Sequence, residues 1–261
     1  MKRPVAFLFL ILMLFTASCS SGNGSHTSSV TGNKWTVMVY LDADNDLATW
    51  ATFDLEEMQK IGSTKNVTVI VQYDTRGETT KRYKVEKESL TLIEDLGELD
   101  MSDGDTLQDF VTEAVSGYPA DHYALIFWNH GYGWKGSATA VNTKSIFNDY
   151  DNGKYNNYLP NDRIAMALAN ARSATGVKID IVGIDACNMS TIEAAYEFRN
   201  ASDILVGSQA VVSISGWDYE DLLRRLSRQP TMTPVNLSQA MVESFKNYYK
   251  GSAYDNQTIA A

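Results

Sequence analysis

The sequence predicts an α/β fold: a three-layer sandwich around a mostly parallel central sheet. Three observations carry that expectation. Short apolar runs rich in Val, Ile and Tyr recur at Lys34–Asp42, Asn66–Thr75, His122–His130, Ile179–Ile184 and Asp203–Ser208. Segments of helical period lie between most of them. Several of the runs are almost continuously apolar, as in strands covered on both faces, and they stop abruptly in polar or Gly-containing turns. No repeat and no second core is evident in the 261 residues.

The chain opens on a leader. Lys2 and Arg3 precede an apolar run, Ala6–Phe15, too short to span a bilayer comfortably, as in a signal peptide over 1–19. Small residues, Thr16-Ala17-Ser18, stand before Cys19 as in a bacterial lipobox, so Cys19 is a candidate lipidation site. A plain signal peptide or an uncleaved anchor are the alternatives. Residues 20–33, rich in Ser, Gly and Thr, read as a flexible tether. The folded domain is expected over 34–261. Its last residues, Gln257–Ala261, read as the start of another element, so truncation is expected there.

Within the domain, the first strand ends in Asp42-Ala-Asp-Asn-Asp46, and Asn45 or Asp46 can cap a helix over Leu47–Ile61. An EF-hand loop would need Gly at 47 and Glu at 53, where Leu47 and Phe53 stand. Capping at a solvated strand end is the expected role of this cluster. After the second strand, Lys81–Lys87 and Ser89–Leu92 alternate like a small hairpin. Asp105–Val115 is a helix, and Gly117–Asp121 a turn. Ser137–Leu159 is a long polar stretch of the kind that is functional or mobile. Helices follow at Asn161–Arg172, Met189–Phe198, Asp218–Arg228 and Asn236–Lys250, the last expected to be capped by Asn236.

The net charge of −10 argues against nucleic acid as a partner and is compatible with basic substrates. Without Cys19 the chain has one cysteine, Cys187, so no intramolecular disulfide is available. An unpaired cysteine in an exported chain flags a reactive thiol, although a buried inert thiol is the alternative. Cys187 stands where a strand becomes a helix, and amides at a helix start favour thiolate. His130 ends another apolar run and is followed by Gly131 and Gly133. In a parallel sheet two such ends lie side by side, and a thiolate–imidazole pair can form. The amides of Gly131 and Cys187 then offer an oxyanion hole.

Other chemistries fit less well. Three histidines and one cysteine are too sparse for a structural zinc site, and no metal ligand set is assigned. A cysteine phosphatase would need Arg six residues after Cys187, where Glu193 stands. There is no Gly-x-Ser-x-Gly elbow and no P-loop.

Three segments carry a resemblance: Trp35–Asp46, Trp128-Asn-His-Gly-Tyr-Gly-Trp134 and Gly183-Ile-Asp-Ala-Cys-Asn-Met-Ser190. Together they look like the clostripain family of cysteine peptidases. Cys187 follows His130 by 57 residues, near the caspase-type interval of about 50. The resemblance implies a caspase-like fold, His130 as catalytic histidine and Cys187 as nucleophile. It implies peptide or protein substrates cut after Arg or Lys, with Asp185 and Trp217 as substrate-binding positions. The bland role of Asp185 is a helix cap. The family's second acidic group, in the loop before Gly-Trp, has no counterpart in Ala210–Gly216. A self-processed zymogen is also implied, with Lys144 the best match for the cut and Lys135 or Lys154 as alternatives. No cofactor is expected to be required, and calcium is an expected activator, for which the Asp42/Asp44/Asp46 and Asp149/Asp151 clusters are candidates. A monomer is expected, exported, touching membrane only through its lipid anchor. Two other readings stay open: a non-catalytic envelope-binding lipoprotein of peptidase-like fold, and an Asp42-nucleophile phosphohydrolase resembling the haloacid dehalogenases.

Overall fold

The computed structural model describes residues 32–134, 145–149 and 157–261. The leader, the tether to residue 31, and Lys135, Lys144, Asp151 and Lys154 lie outside the described residues, and so do the expectations attached to them.

Among the described residues, nine strands and six helices follow one another. β1 (Trp35–Ala43) and β2 (Val67–Thr75) flank α1 (Ala48–Ile61). β3 (Lys81–Glu86) and β4 (Ser89–Asp95) form the expected hairpin. α2 (Gly104–Gly117) leads to β5 (His122–Trp128), then β6 (Ser145–Asp149), β7 (Asn157–Pro160) and α3 (Asn161–Thr175). β8 (Ile179–Asp185), α4 (Ile192–Phe198), β9 (Ser202–Val206), α5 (Tyr219–Arg228) and α6 (Pro234–Tyr249) complete the chain.

The main sheet has the order β4-β3-β2-β1-β5-β8-β9, parallel from β2 to β9 and antiparallel at β3 and β4. All nine residues of β1 are buried, because this strand is central and covered on both faces. One face carries α1, α5 and α6 through Leu55, Met58, Leu222, Leu226, Met241 and Phe245. The other carries α2, α3 and α4 through Phe110, Val111, Ile164, Leu168, Ala194 and Phe198. Alternate residues of one strand serve the two cores: Val37, Val39 and Leu41 face one, Met38 and Tyr40 the other. The expected three-layer sandwich is therefore the observed one.

The layering also fixes where a site can form. The β1–β2 crossover, α1, covers one face, whereas α2, α3 and α4 cover the other. The sheet order reverses between β1 and β5, so the connections leaving their carboxyl ends run to opposite faces and leave a crevice there.

Four local expectations need correction. The polar stretch 137–159 is not all loop, since β6 and β7 pair antiparallel within and beside it. Neither Asn45 nor Asp46 caps α1: Asn45 Oδ1 accepts from Leu47 N–H at 2.8 Å one step earlier, and Leu47 is the capping residue. The strand end there is not solvated, for Asp42, Asp44 and Asn45 are wholly buried. At α6 the cap is Thr233, whose hydroxyl accepts from Asn236 N–H, with Pro234 in the first turn where a missing N–H costs nothing.

Candidate active site

Adjacent parallel strands β5 and β8 end in register, Trp128 opposite Asp185. The residues just beyond them, His130 and Cys187, line one cleft of about 250 Å³. Asp46 and Leu47, beyond β1, form another side, and Val212, Ser213, Ile214 and Gly216 a third. The site therefore collects the carboxyl ends of β1, β5 and β8, and the loop after β9 closes over it.

The backbone around Cys187 is built to hold the sulfur still. Asn188 takes a left-handed conformation, φ 62°, which Asn tolerates better than most residues. Asn188 N–H donates to Ala210 O at 3.0 Å, and Ser190 N–H to Ser208 O at 2.8 Å. These bonds draw 187–190 toward the loop 208–212 that follows β9. They also delay α4 to Ile192, so the expected helix from Met189 is short at its start, and Cys187 is not at a helix N-terminus. The expected thiolate does not follow either. Burial pushes the Cys187 thiol up, the Val212 N–H donating to Sγ at 3.3 Å draws it down, and the neighbouring Asp185 adds to the rise.

His130 is a third exposed at its side chain and its Nε2 lies 2.8 Å from Asp46 Oδ1. Behind it, Asn129 is clamped: its Nδ2 donates to Asp42 Oδ2 at 2.6 Å and to Asp42 O at 3.0 Å, while its Oδ1 accepts from His130 N–H. The histidine is thus held from its own backbone and from its ring. Gly131 is buried. A Cβ there would meet the Cys187 carbonyl at 2.2 Å, Met189 at 2.8 Å and Ala186 at 2.9 Å, so only glycine lets the two strand ends close on each other.

Two buried carboxyl groups lie under the cleft. Asp185 Oδ2 accepts from Trp217 N–H at 3.0 Å and from Tyr219 O–H at 3.1 Å. It therefore caps no helix; its partners come from the segment leading into α5. Asp54, from α1, accepts from the Trp128 indole N–H at 2.6 Å. Both approach Gly216, whose φ is 57°; a Cβ there would lie 2.8 Å from Asp185 Oδ2 and 3.3 Å from Asp54 Oδ2. Burial pushes Asp185 up to about 7 against the two donors that draw it down, and burial with the charge of Asp185 pushes Asp54 up to about 9. A floor of this kind favours a cation brought in by a ligand.

Trp217 is not a cleft residue. Its side chain is 3% exposed, packs on Gly183 of β8 and belongs to the core under α1, α5 and α6. What it gives the site is its backbone N–H on Asp185 and support for the wall at Gly216. Asp42, the nucleophile of the phosphohydrolase reading, is wholly buried and turned toward Asn129, away from the cleft lining. Asp46 and Asp54 are the site residues that sequence reading missed. The run of aspartates after the first strand was the available signal for Asp46, whereas nothing local marks Asp54 among ordinary helix positions.

Comparisons with known proteins bear on the family and the fold. The family model described as "Clostripain family" matches residues 39–261. Clostripain of Hathewaya histolytica is 29% identical over 223 residues, covering 74% of this chain and 42% of that protein. The chain thus spans less than half the length of this curated relative. A secreted C11 cysteine protease from Bacteroides thetaiotaomicron, solved with an irreversible peptide inhibitor, superposes with a TM-score of 0.70 at 27% identity, covering 83% of this chain and 59% of that one. An inactive zymogen C11 protease from Parabacteroides distasonis shares the fold, with a TM-score of 0.67 at 22% identity over 88% of this chain and 61% of that one.

Proposed function

The chain belongs to the clostripain family of cysteine peptidases, and from that premise we propose that it is an endopeptidase cutting after Arg or Lys through Cys187 and His130. The observation that carries this reading is the meeting of His130, Cys187 and the buried Asp185 in one cleft at the ends of adjacent strands.

In the proposed reaction, the basic side chain of the substrate enters beside Gly216 and pairs with Asp185, with Asp54 as a second carboxyl behind it. Withdrawing such a pair from water makes it selective, because a neutral side chain would leave a buried charge unmatched. Cys187 Sγ then adds to the scissile carbonyl carbon. Its thiol is raised by burial, so the proton leaves during attack and passes to His130. Asp46 occupies Nε2, which leaves Nδ1 as the ring nitrogen for that proton. The oxyanion is held by the amides of Gly131 and Cys187. Collapse breaks the C–N bond, and His130 returns the proton to the departing amine. Water then cleaves the thioester, releasing the acid and restoring the thiol.

This chemistry requires no cofactor. The chain is taken as an exported monomer acylated at Cys19 and matured by its own cut at Lys144.

The test uses fluorogenic peptides ending in Arg, Lys or Asp, with Cys187→Ala in parallel. Release from the Arg and Lys peptides, lost in the variant, is expected. Equal cleavage after Asp would overturn the proposed specificity, and activity surviving in Cys187→Ala would overturn the mechanism. Gels over the same period show whether a band consistent with cutting near Lys144 appears in the active chain alone.

A further inference from the structure

A second pocket backs onto the cleft. It is a cavity of about 230 Å³ between α1, the end of α6 and the loop 213–216, bordered by Trp50, Phe53, Asp54, Glu57, Ser215 and Tyr248. Ser215 stands between Ile214 and Gly216, which line the cleft. One stretch of chain is therefore the wall of both. Asp54 serves both as well, since it borders this pocket and approaches Gly216 together with Asp185. Next to Tyr248, the Tyr249 O–H donates to Gly216 O at 2.7 Å, so α6 fixes the shared wall.

Two independent features give this pocket a chemistry. The first is charge. Asp54, Glu56 and Glu57 border it with one cation, Lys60, and the Lys60 ammonium pairs with Glu220 at 2.9 Å. Asp54 is 5% exposed; its Oδ2 takes the Trp128 N–H, whereas its Oδ1 has no hydrogen-bond partner among the described residues. Glu57 accepts the Tyr219 N–H at 3.1 Å and joins no ion pair among the described residues. Burial and then the charge of Asp218 push the Glu57 carboxyl up, against Lys60 and that N–H. The second feature is an aromatic rim. Trp50 and Phe53 meet edge to face at 5.8 Å, and Phe53 and Tyr248 leave 51% and 41% of their surface exposed, outside both cores. Open aromatic rings beside carboxylates short of cations suit an alkylammonium or guanidinium group, which ring and charge attract together.

We infer that this pocket is a second cation subsite, which takes another Lys or Arg side chain of the substrate, close in sequence to the one held at Asp185. The inference rests on the proposed cleavage after Arg or Lys. The substrate is the occupant because the wall is shared. A peptide that lays its first basic side chain beside Gly216 lies against the loop 213–216, and Ser215 of that loop already borders the second pocket. A long cationic side chain reaches across, with its methylenes on Phe53 and Tyr248 and its charge toward Glu57 and Asp54. A neutral side chain there leaves the acids unmatched. Chains with two basic residues are then the better substrates, and the gain is in binding, so it lowers KM.

Quenched fluorescent peptides with Arg at the cut and a further Lys scanned through the flanking positions test it on the full chain, against the same peptides with Gln for that Lys. At one position or more, Lys should raise kcat/KM about tenfold over Gln, mostly through KM, as a cation–aromatic contact with a charge partner supplies. The Lys-to-Gln ratio, taken within each variant, reads the subsite. Glu57→Gln keeps an oxygen for the Tyr219 N–H and should cut the ratio to about threefold or less, and Phe53→Ala, at an exposed ring, should do the same. Titration calorimetry on Cys187→Ala reads binding without cleavage, and the favoured Lys peptide should bind about tenfold tighter than its Gln counterpart. A gain at no position, or a ratio unchanged in both Glu57→Gln and Phe53→Ala, would overturn the subsite while cleavage after a single Arg still upholds the peptidase reading. Tighter binding of the Lys peptide to Cys187→Ala, lost when Glu57→Gln is added, but without cleavage by the wild type, would uphold the subsite and overturn the peptidase reading. Arg peptides that are neither bound nor cut would overturn both.

Discussion

Two groups of buried acids sit at the same edge of the sheet, and they differ in how they are satisfied. Under the cleft, Asp185 holds two donors and Asp54 a third, all from fixed backbone or ring positions. On the other face, Asp42, Asp74 and Asp149 crowd together, and burial with the charge of neighbouring acids raises all three carboxyls. The first group is stable without a ligand and opens on a cleft, so it suits a cation that arrives and leaves. The second is sealed from solvent and lines no cleft with His130 and Cys187. A carboxylate's surroundings, more than its burial, tell the two groups apart.

Predictions that break or sharpen this contrast run from large effects to small. Removing the sulfur with Cys187→Ala should lower peptide hydrolysis by at least about 10³-fold while the melting curve stays close to wild type. Next, Asp185→Asn should lower kcat/KM for Arg peptides by about 10²-fold, most of it in KM, because an unmatched buried cation costs several kcal/mol. An Arg peptide indifferent to that change would remove Asp185 from recognition.

The pH profile should show the same group. Asp185 is raised to about 7, so lowering the pH through 7 protonates it, and KM for Arg peptides should rise as the pH falls from 8 to 6. Asp54→Asn should then act more weakly, about tenfold in KM, because Asp54 stands behind Asp185. Its stability has the opposite sign. A carboxyl raised to about 9 contributes stability at low pH and loses it as the pH rises toward 9. Asp54→Asn should therefore melt above wild type at pH 9 and near it at pH 5. Smallest of all, Asp46→Asn should lower kcat by several-fold and leave KM alone, since Asp46 is two-thirds exposed at its side chain and orients the ring without touching substrate.

Much of this molecule is legible along the chain. Period-two and period-3.6 patterns fixed the strand and helix order, and the breaks at His130 and Cys187 identified the two strand ends that meet. These features are local: hydrophobic spacing decides which face is covered, and a parallel sheet puts its carboxyl ends together. Helix caps were not legible: those expected at Asn45, Asp46 and Asn236 are not used, whereas Asp103 and Asp218, whose side chains accept from first-turn amides, were not singled out.

What the tertiary structure alone decided are the matters that depend on distant partners. Trp217 reads as a residue beside the site, yet the space above Gly183 takes its ring into the core. The Cys187 turn looks like a helix start, yet bonds to Ser208 and Ala210 hold it as a turn before α4, and its thiol is raised by burial. Asp54 joins Asp185 only because α1 lies across the cleft floor, and Asp42, Asp74 and Asp149 converge only because β6 crosses the β1–β2 end. Sequence supplies the residue and its local geometry. Burial, and the neighbours that burial brings, set its protonation, its partners and the cation it can hold.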